Sequence, residues 1–244
     1  MPSPRLDIQP RLERADLKSW GYRAPESDTL VISFSGIGKN PNAAPPIEFA
    51  NTATQNGTHN ALFISDPNRT WLNGDGLIER ITNEARRCIA ECKARRVVTV
   101  GHSMGGFSAL VLADFLPVDA VLALAPQLSV HPDIVPDEHR WPEWREKITR
   151  FRVRCAADHL RDGPQYTVLF GRHGREAPQR DPFPHRDNLR LYILPRTHHN
   201  VPQRLKDLGI LTDSFKFAIA GRPRKLRLLL KNRAAATLRP NPEP

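Results

Sequence analysis

The chain has 244 residues, 39% of them hydrophobic and 25% charged, a balance that suits a soluble globular protein able to bury a core without disulfides or metals. Of the formal charge of +10, residues 221–244 supply +6 through seven Lys/Arg against the single Glu243, so the body stands at only +4 and no zinc-finger or RNA-binding signature makes nucleic acid an expected partner. Three cysteines (Cys88, Cys92, Cys155) are an odd set for a disulfide scaffold, the first residues lack the apolar stretch of a signal peptide, and no run approaches the ~20 apolar residues that span a bilayer, so a cytoplasmic location is expected by default.

In chain order, short apolar and β-branched runs alternate with helical patterns. Thr29–Phe34, Asn60–Ser65, residues 96–100, 120–125 and 166–170, and Leu189–Leu194 read as six strands buried on both faces. Between them, 76–95 carries Leu77, Ile81, Cys88, Ile89 and Cys92 at helical spacing, with Asp75 placed as a cap and the two cysteines as core residues. Residues 104–116 read as a buried helix stopped by Pro117. Helices are also expected over 202–208, closed by Gly209, and over 213–220. This alternation predicts an α/β fold, a mostly parallel central sheet flanked by helices.

Two segments stand apart. Residues 127–165 separate two strands, are Pro-rich, carry Trp141 and Trp144, and hold an expected helix over 138–151; so long a connection reads as a small lid insertion. The domain reading is therefore a body over 1–220 containing that lid, and a basic tail over 221–244. The tail reads first as a frayed, solvated terminus, although Leu226 and Leu228 to Leu230 among its basic residues allow an amphipathic helix on a membrane or partner.

Gly101-His102-Ser103-Met104-Gly105 is Gly-x-Ser-x-Gly, placed directly after an apolar strand and before a small-residue helix. That context is what a nucleophile elbow requires. The serine sits on a sharp turn, the glycines let backbones approach, and the helix N-terminus points its N–H groups at the reacting oxygen. At these residues the chain resembles the α/β-hydrolase superfamily, over roughly residues 28–215 by order of elements. The resemblance implies that the elbow strand is the fifth of an eight-stranded sheet and that Thr29–Phe34 is the third.

The resemblance also implies a serine hydrolase with Ser103 as nucleophile. His199, in the Thr197-His198-His199-Asn200 loop after the last strand, is the expected base, with His198 as the alternative. For the acid, the position three past Gly171 is a glycine, and Asp181 is favoured, with Glu176 and Asp133 as alternatives. The oxyanion hole is expected from the N–H groups of Met104 and of Ile37 in the Ser35-Gly36-Ile37-Gly38 loop, where one donor is typically worth ~3–4 kcal/mol. Gly36, Arg69 and Trp71 are expected to contact substrate, and His102 to pack at the turn. The reaction implied is cleavage of a carboxylic ester, or a thioester or amide, through an acyl-enzyme, a carboxylesterase acting on a small acyl substrate without metal or cofactor. Acyl transfer to an alcohol by the same residues, or an inactive binding protein on the same scaffold, are the alternatives.

Overall fold

The computed structural model describes residues 6–240; residues 1–5 and 241–244, including Glu243, lie outside the described residues. The sheet contains β1 (Gln9–Glu13), β2 (Lys18–Tyr22), β3 (Thr29–Phe34), β4 (Asn60–Ser65), β5 (Arg96–His102), β6 (Ala120–Leu124), β7 (Gln165–Gly171), β8 (Leu189–Leu194) and β9 (Thr237–Leu238). Their spatial order is β1-β2-β4-β3-β5-β6-β7-β8-β9. The six apolar runs are the parallel centre, β4-β3-β5-β6-β7-β8, and β1, β2 and β9 add antiparallel edges. Every residue of β3, β4 and β6 is buried, as expected for strands covered on both faces.

The helices are α1 (Ala50–Ala53), α2 (Leu77–Cys92), α3 (Met104–Leu112), α4 (Pro142–Arg145), α5 (Ala177–Arg180), α6 (Val201–Asp207), α7 (Leu211–Ile219) and α8 (Pro223–Ala234). In α2, Leu77, Ile81, Ala85, Cys88 and Cys92 recur on one buried face, while the opposite face is charged. Glu84 is also buried there and is met by Arg11 from β1 at 2.5 Å, an ion pair that ties the first edge strand to this helix. α3 is buried along its whole length, which explains why its sequence has no polar stripe. No helix among the described residues is long and apolar enough to cross a membrane.

Several local expectations need correction. Asp75 does not cap α2; Gly76 takes the N-cap position in the left-handed region at φ 62°, a conformation an aspartate adopts less readily. α3 ends at Leu112, because the N–H groups of Asp114 and Phe115 turn to the carbonyls three residues back and tighten the chain. The helix expected over 138–151 shrinks to the four residues of α4, preceded by Trp141 at φ 57°. Gly209 does close α6, at φ 68°, with its N–H on Lys206 O and that of Ile210 on Leu205 O.

Over its described residues, 221–240, the tail is not frayed. α8 lays Leu226, Leu230 and Ala234 on the body, and β9 pairs with β8 through Tyr192↔Leu238 and Ile193↔Thr237. Truncating the fully buried Leu230 to Ala removes apolar contacts and leaves a cavity, so Leu230→Ala is expected to lower unfolding stability by about 2–5 kcal/mol in urea titration. Leu228→Ala, on the exposed side of the same helix, is expected to stay within about 0.5 kcal/mol.

Candidate active site

β5 runs straight into α3, and the residue between them, Ser103, has φ 58° and ψ −122°. A side chain is held there only because its neighbours have none. A Cβ on Gly101 would lie 2.2 Å from the Gly105 carbonyl group, and one on Gly105 would lie 2.2 Å from Phe34 O. The first approach folds the helix back over the strand; the second presses its first turn onto the end of β3. Ser103 N–H is anchored on Leu124 O at 3.0 Å, so β6 fixes the turn from the other side.

The imidazole comes from the loop after β8. That loop crosses over the end of β7, where a Cβ on Gly171 would meet Thr197 O at 2.3 Å and His198 O at 2.4 Å. His199 Nε2 lies 2.9 Å from Ser103 Oγ, and its Nδ1 lies 3.0 Å from Glu176 Oε2. A carboxylate on Nδ1 leaves that nitrogen as the donor and Nε2 as the acceptor for the serine proton, the tautomer that proton removal needs. His102 Nε2 donates to His199 O at 3.1 Å and fixes the loop backbone.

Of the carboxylates weighed for His199, only Glu176 reaches it. Asp181 is 60% exposed at its side chain and pairs with the adjacent Arg180 at 2.6 Å, because the short helix α5 turns it outward. Asp133 is also on the surface, 3.6 Å from Arg154. Glu176 is buried, and Arg140 Nη1 binds its second oxygen at 3.0 Å. Burial alone would raise its pKa; the bonds from His199 and Arg140 outweigh that and hold it ionised, below the usual range. Arg140 is shared, since its Nε and Nη2 grip the buried Glu138, which also accepts from Gln179 Nε2 at 2.9 Å. Arg140 Nη1 also lies 3.2 Å from His199 Nδ1. Both are donors in this tautomer, so the carboxylate between them is the acceptor for each.

His198 is exposed and stacks on His173, with ring centroids 4.0 Å apart, away from the serine. Met104 is the first residue of α3, so its N–H has no acceptor within the helix. Ile37 follows the end of β3, which pairs with the turn through Phe34↔Gly101. Gly36 is enclosed: a Cβ there would stand 3.2 Å from both Glu48 Oε1 and His102 O.

Arg69 and Trp71 are not free to meet a substrate. Four of the five Arg69 guanidinium N–H groups bind carbonyls, Ile37 O at 2.7 Å, Pro67 O at 2.8 Å, Asn40 O at 2.9 Å and Ala43 O at 2.7 Å. It therefore holds the 37–43 loop in shape. Trp71 is fully buried and donates from Nε1 to Gln127 Oε1 at 3.1 Å; Gln127 Nε2 in turn donates to Ser103 Oγ at 3.1 Å. Sequence reasoning missed Gln127, Glu138 and Arg140. Gln127 lies just past the carboxyl end of β6, a position where open parallel sheets gather ligand-contacting groups, and that placement was the available signal. Nothing in the sequence pattern marks Glu138 or Arg140, because irregular backbone carries no periodicity.

The strand order and direction, with flanking helices and a serine at the sharp β5–α3 turn, define an α/β-hydrolase fold. A profile of the Alpha/beta hydrolase family matches residues 21–238, and the chain belongs to that family. No curated protein sequence matches it significantly. Among solved structures it is similar to an esterase of Pyrococcus furiosus (13% identity, 93% of each chain, TM-score 0.53). It is also similar to a hormone-sensitive lipase from a metagenome library (12% identity, 90% of this chain and 86% of that one, TM-score 0.58). A capsule O-acetyltransferase of Neisseria meningitidis serogroup A, in complex with CoA, aligns at 12% identity over 87% of this chain and 94% of that one, with TM-score 0.57. At these identities the likeness is one of fold.

Burial pushes the His102 imidazole down to about 4 from an ordinary 6.5. The unfolded chain then binds this proton more readily than the folded one. The associated stability is present above about pH 6.5 and is lost as pH falls through about 4. His102→Gln, whose amide can still donate to His199 O, is expected to lose about 1–3 kcal/mol less than the wild type between pH 7 and pH 4, read by thermal melts across that range.

Proposed function

We propose that the protein is a serine hydrolase that cleaves a carboxylic ester, or a thioester or amide, through an acyl-enzyme on Ser103. The observation that carries this reading is the continuous hydrogen-bonded chain from Glu176 through His199 to Ser103 Oγ. Ser103 Oγ attacks the acyl carbonyl while His199 Nε2 takes its proton. The same imidazole then protonates the leaving group and afterwards activates water. The N–H groups of Met104 and Ile37 receive the oxyanion. Gln127 steadies Ser103 Oγ in the attacking position, and Trp71 steadies Gln127.

Segment 127–165 acts as the lid. Ser103 is only 3% exposed, and the Trp141 ring stands 5.8 Å from that of His199. Trp141 and Trp144 then give the acyl group an apolar wall. Water and an alcohol acceptor are distinguished by product analysis with and without the alcohol.

The charge count supports the proton transfer. Glu138 and Glu176 carry two negative charges against the one positive charge of Arg140, so the group beside His199 is net −1 and becomes neutral when the imidazolium forms. Without Glu138, Arg140 would cancel the charge of Glu176.

Three results are expected. Ser103→Ala abolishes both turnover of p-nitrophenyl esters and labelling by a fluorophosphonate; labelling that survives the substitution would refute the assignment. Glu176→Gln lowers kcat by about 10⁴-fold, the scale set by losing the acid of such a triad, whereas Asp181→Asn stays within about twofold. Glu138→Gln lowers kcat/KM by about tenfold to a hundredfold, and the double variant Glu138→Gln/Arg140→Met regains part of that loss because the net −1 is restored. A double variant slower than Glu138→Gln alone would exclude the charge account.

A further inference from the structure

Leu228 and Leu238 are the large hydrophobic side chains most exposed among the described residues, at 44% and 41%, and they sit together. Both line a cavity of about 650 Å³ between α8, the turn after it, and the β8–β9 edge of the sheet. Tyr192 of β8 lines the same cavity; its hydroxyl is buried and has no hydrogen-bond partner. Arg227 and Lys231 complete the rim. Two leucines beside two cations are a poor surface for water alone and a good one for an anion that carries apolar chain.

The helix bearing this rim has the matching pattern. At 100° per residue, Arg224, Leu228 and Lys231 fall on one outward face, with Arg227 on one flank and Lys225 on the other, opposite the buried Leu226 and Leu230. Arg224, Lys225, Arg227 and Lys231 are all exposed, and among the described residues none of them has a carboxylate partner. From Arg222 to Arg239 the chain holds seven Lys/Arg and no Asp or Glu.

We propose that the face formed by α8 and β9 docks the protein on an anionic phospholipid bilayer. Leu228 and Leu238 enter the boundary between headgroups and acyl chains, Arg224, Arg227 and Lys231 meet lipid phosphates, and the cavity over Tyr192 receives one headgroup. Apolar side chains at the centre of a cationic helix face are the pattern of an interfacial helix. A nucleic-acid backbone would satisfy the cations and leave both leucines in water, and no aromatic side chain is exposed there to stack on a base. A second copy of this chain would bring a second unpaired cationic face against the first, with no acid to match it.

The test is co-sedimentation of the full-length protein with phosphatidylcholine vesicles, with and without phosphatidylserine, at low and high salt. The expected result is binding to the phosphatidylserine vesicles only, weakened by salt. Arg227→Gln/Lys231→Gln is expected to weaken it about twenty-five-fold, from about fivefold per cation near a charged surface. Leu228→Ser is expected to weaken it while leaving the salt dependence in place. Lys93→Gln, which removes one charge at the C-cap of α2 outside this face, is expected to bind as the wild type does. Circular dichroism melts check that each variant is folded. Equal binding to neutral vesicles, no vesicle binding by the wild type, or unchanged binding by the double variant would each overturn the proposal. So would a dimer lost on Leu228→Ser, or retention on duplex DNA that does not depend on Leu228, in the absence of vesicle binding.

Discussion

Two backbones pass through the space where side chains would otherwise be, and the site depends on that contact. The missing Cβ atoms of Gly101 and Gly105 let α3 start almost on top of β5 and against the last carbonyl of β3. Ser103 is then forced into a backbone region that L-residues seldom occupy, with cost of order 1–3 kcal/mol, repaid by the burial of α3 along its entire length. The same closeness brings three chain segments to one point: the β3 loop with Ile37, the first turn of α3 with Met104, and the end of β6 with Gln127.

A second constraint is electrostatic. An ionised Glu176 is removed from water, a state that is costly unless each oxygen has a partner. His199 takes one oxygen and Arg140 the other. The arginine then introduces a charge of its own, which Glu138 balances and Gln179 helps to orient. The result is a small ionic cluster drawn from the 127–165 segment and the loop after β7. Unlike an isolated buried pair, it leaves an uneven charge on the side facing the imidazole. The 127–165 segment therefore supplies part of the wiring of the site.

What the sequence made legible follows from what was periodic or compositionally extreme. The six central strands are uniform apolar runs, and β3, β4 and β8 are read to the residue; the elbow is a fixed spacing between a strand and a helix, and His199 lies in a short loop after the last long run. β1 and β2 escaped because β1 is polar and mostly exposed and β2 only half-buried; their partners, not their own composition, make them strands. Asp181 was favoured over Glu176 for a similar reason. Residues 174–176 form a single tight 3-10 turn that swings the glutamate inward, and no side-chain pattern announces such a turn. Arg69 was legible as important and misread in kind. A charged residue at a strand's carboxyl end suggests a ligand, and here the ligands are four peptide carbonyls of its own chain.

That carbonyl cage has an electrical consequence. Arg69 is buried and, among the described residues, makes no direct ion pair; the oxygens of its neighbour Asp66 are engaged by Asn68 and Thr70. A guanidinium does not deprotonate in a protein, so it keeps a full charge 2.7 Å from Ile37 O whatever the pH. The loop that carries Ile37 thus rests on a charge that pH does not remove. Carbonyl dipoles make the direct contacts and the buried Asp66 adds attraction from nearby, so the guanidinium is balanced without a direct ion pair.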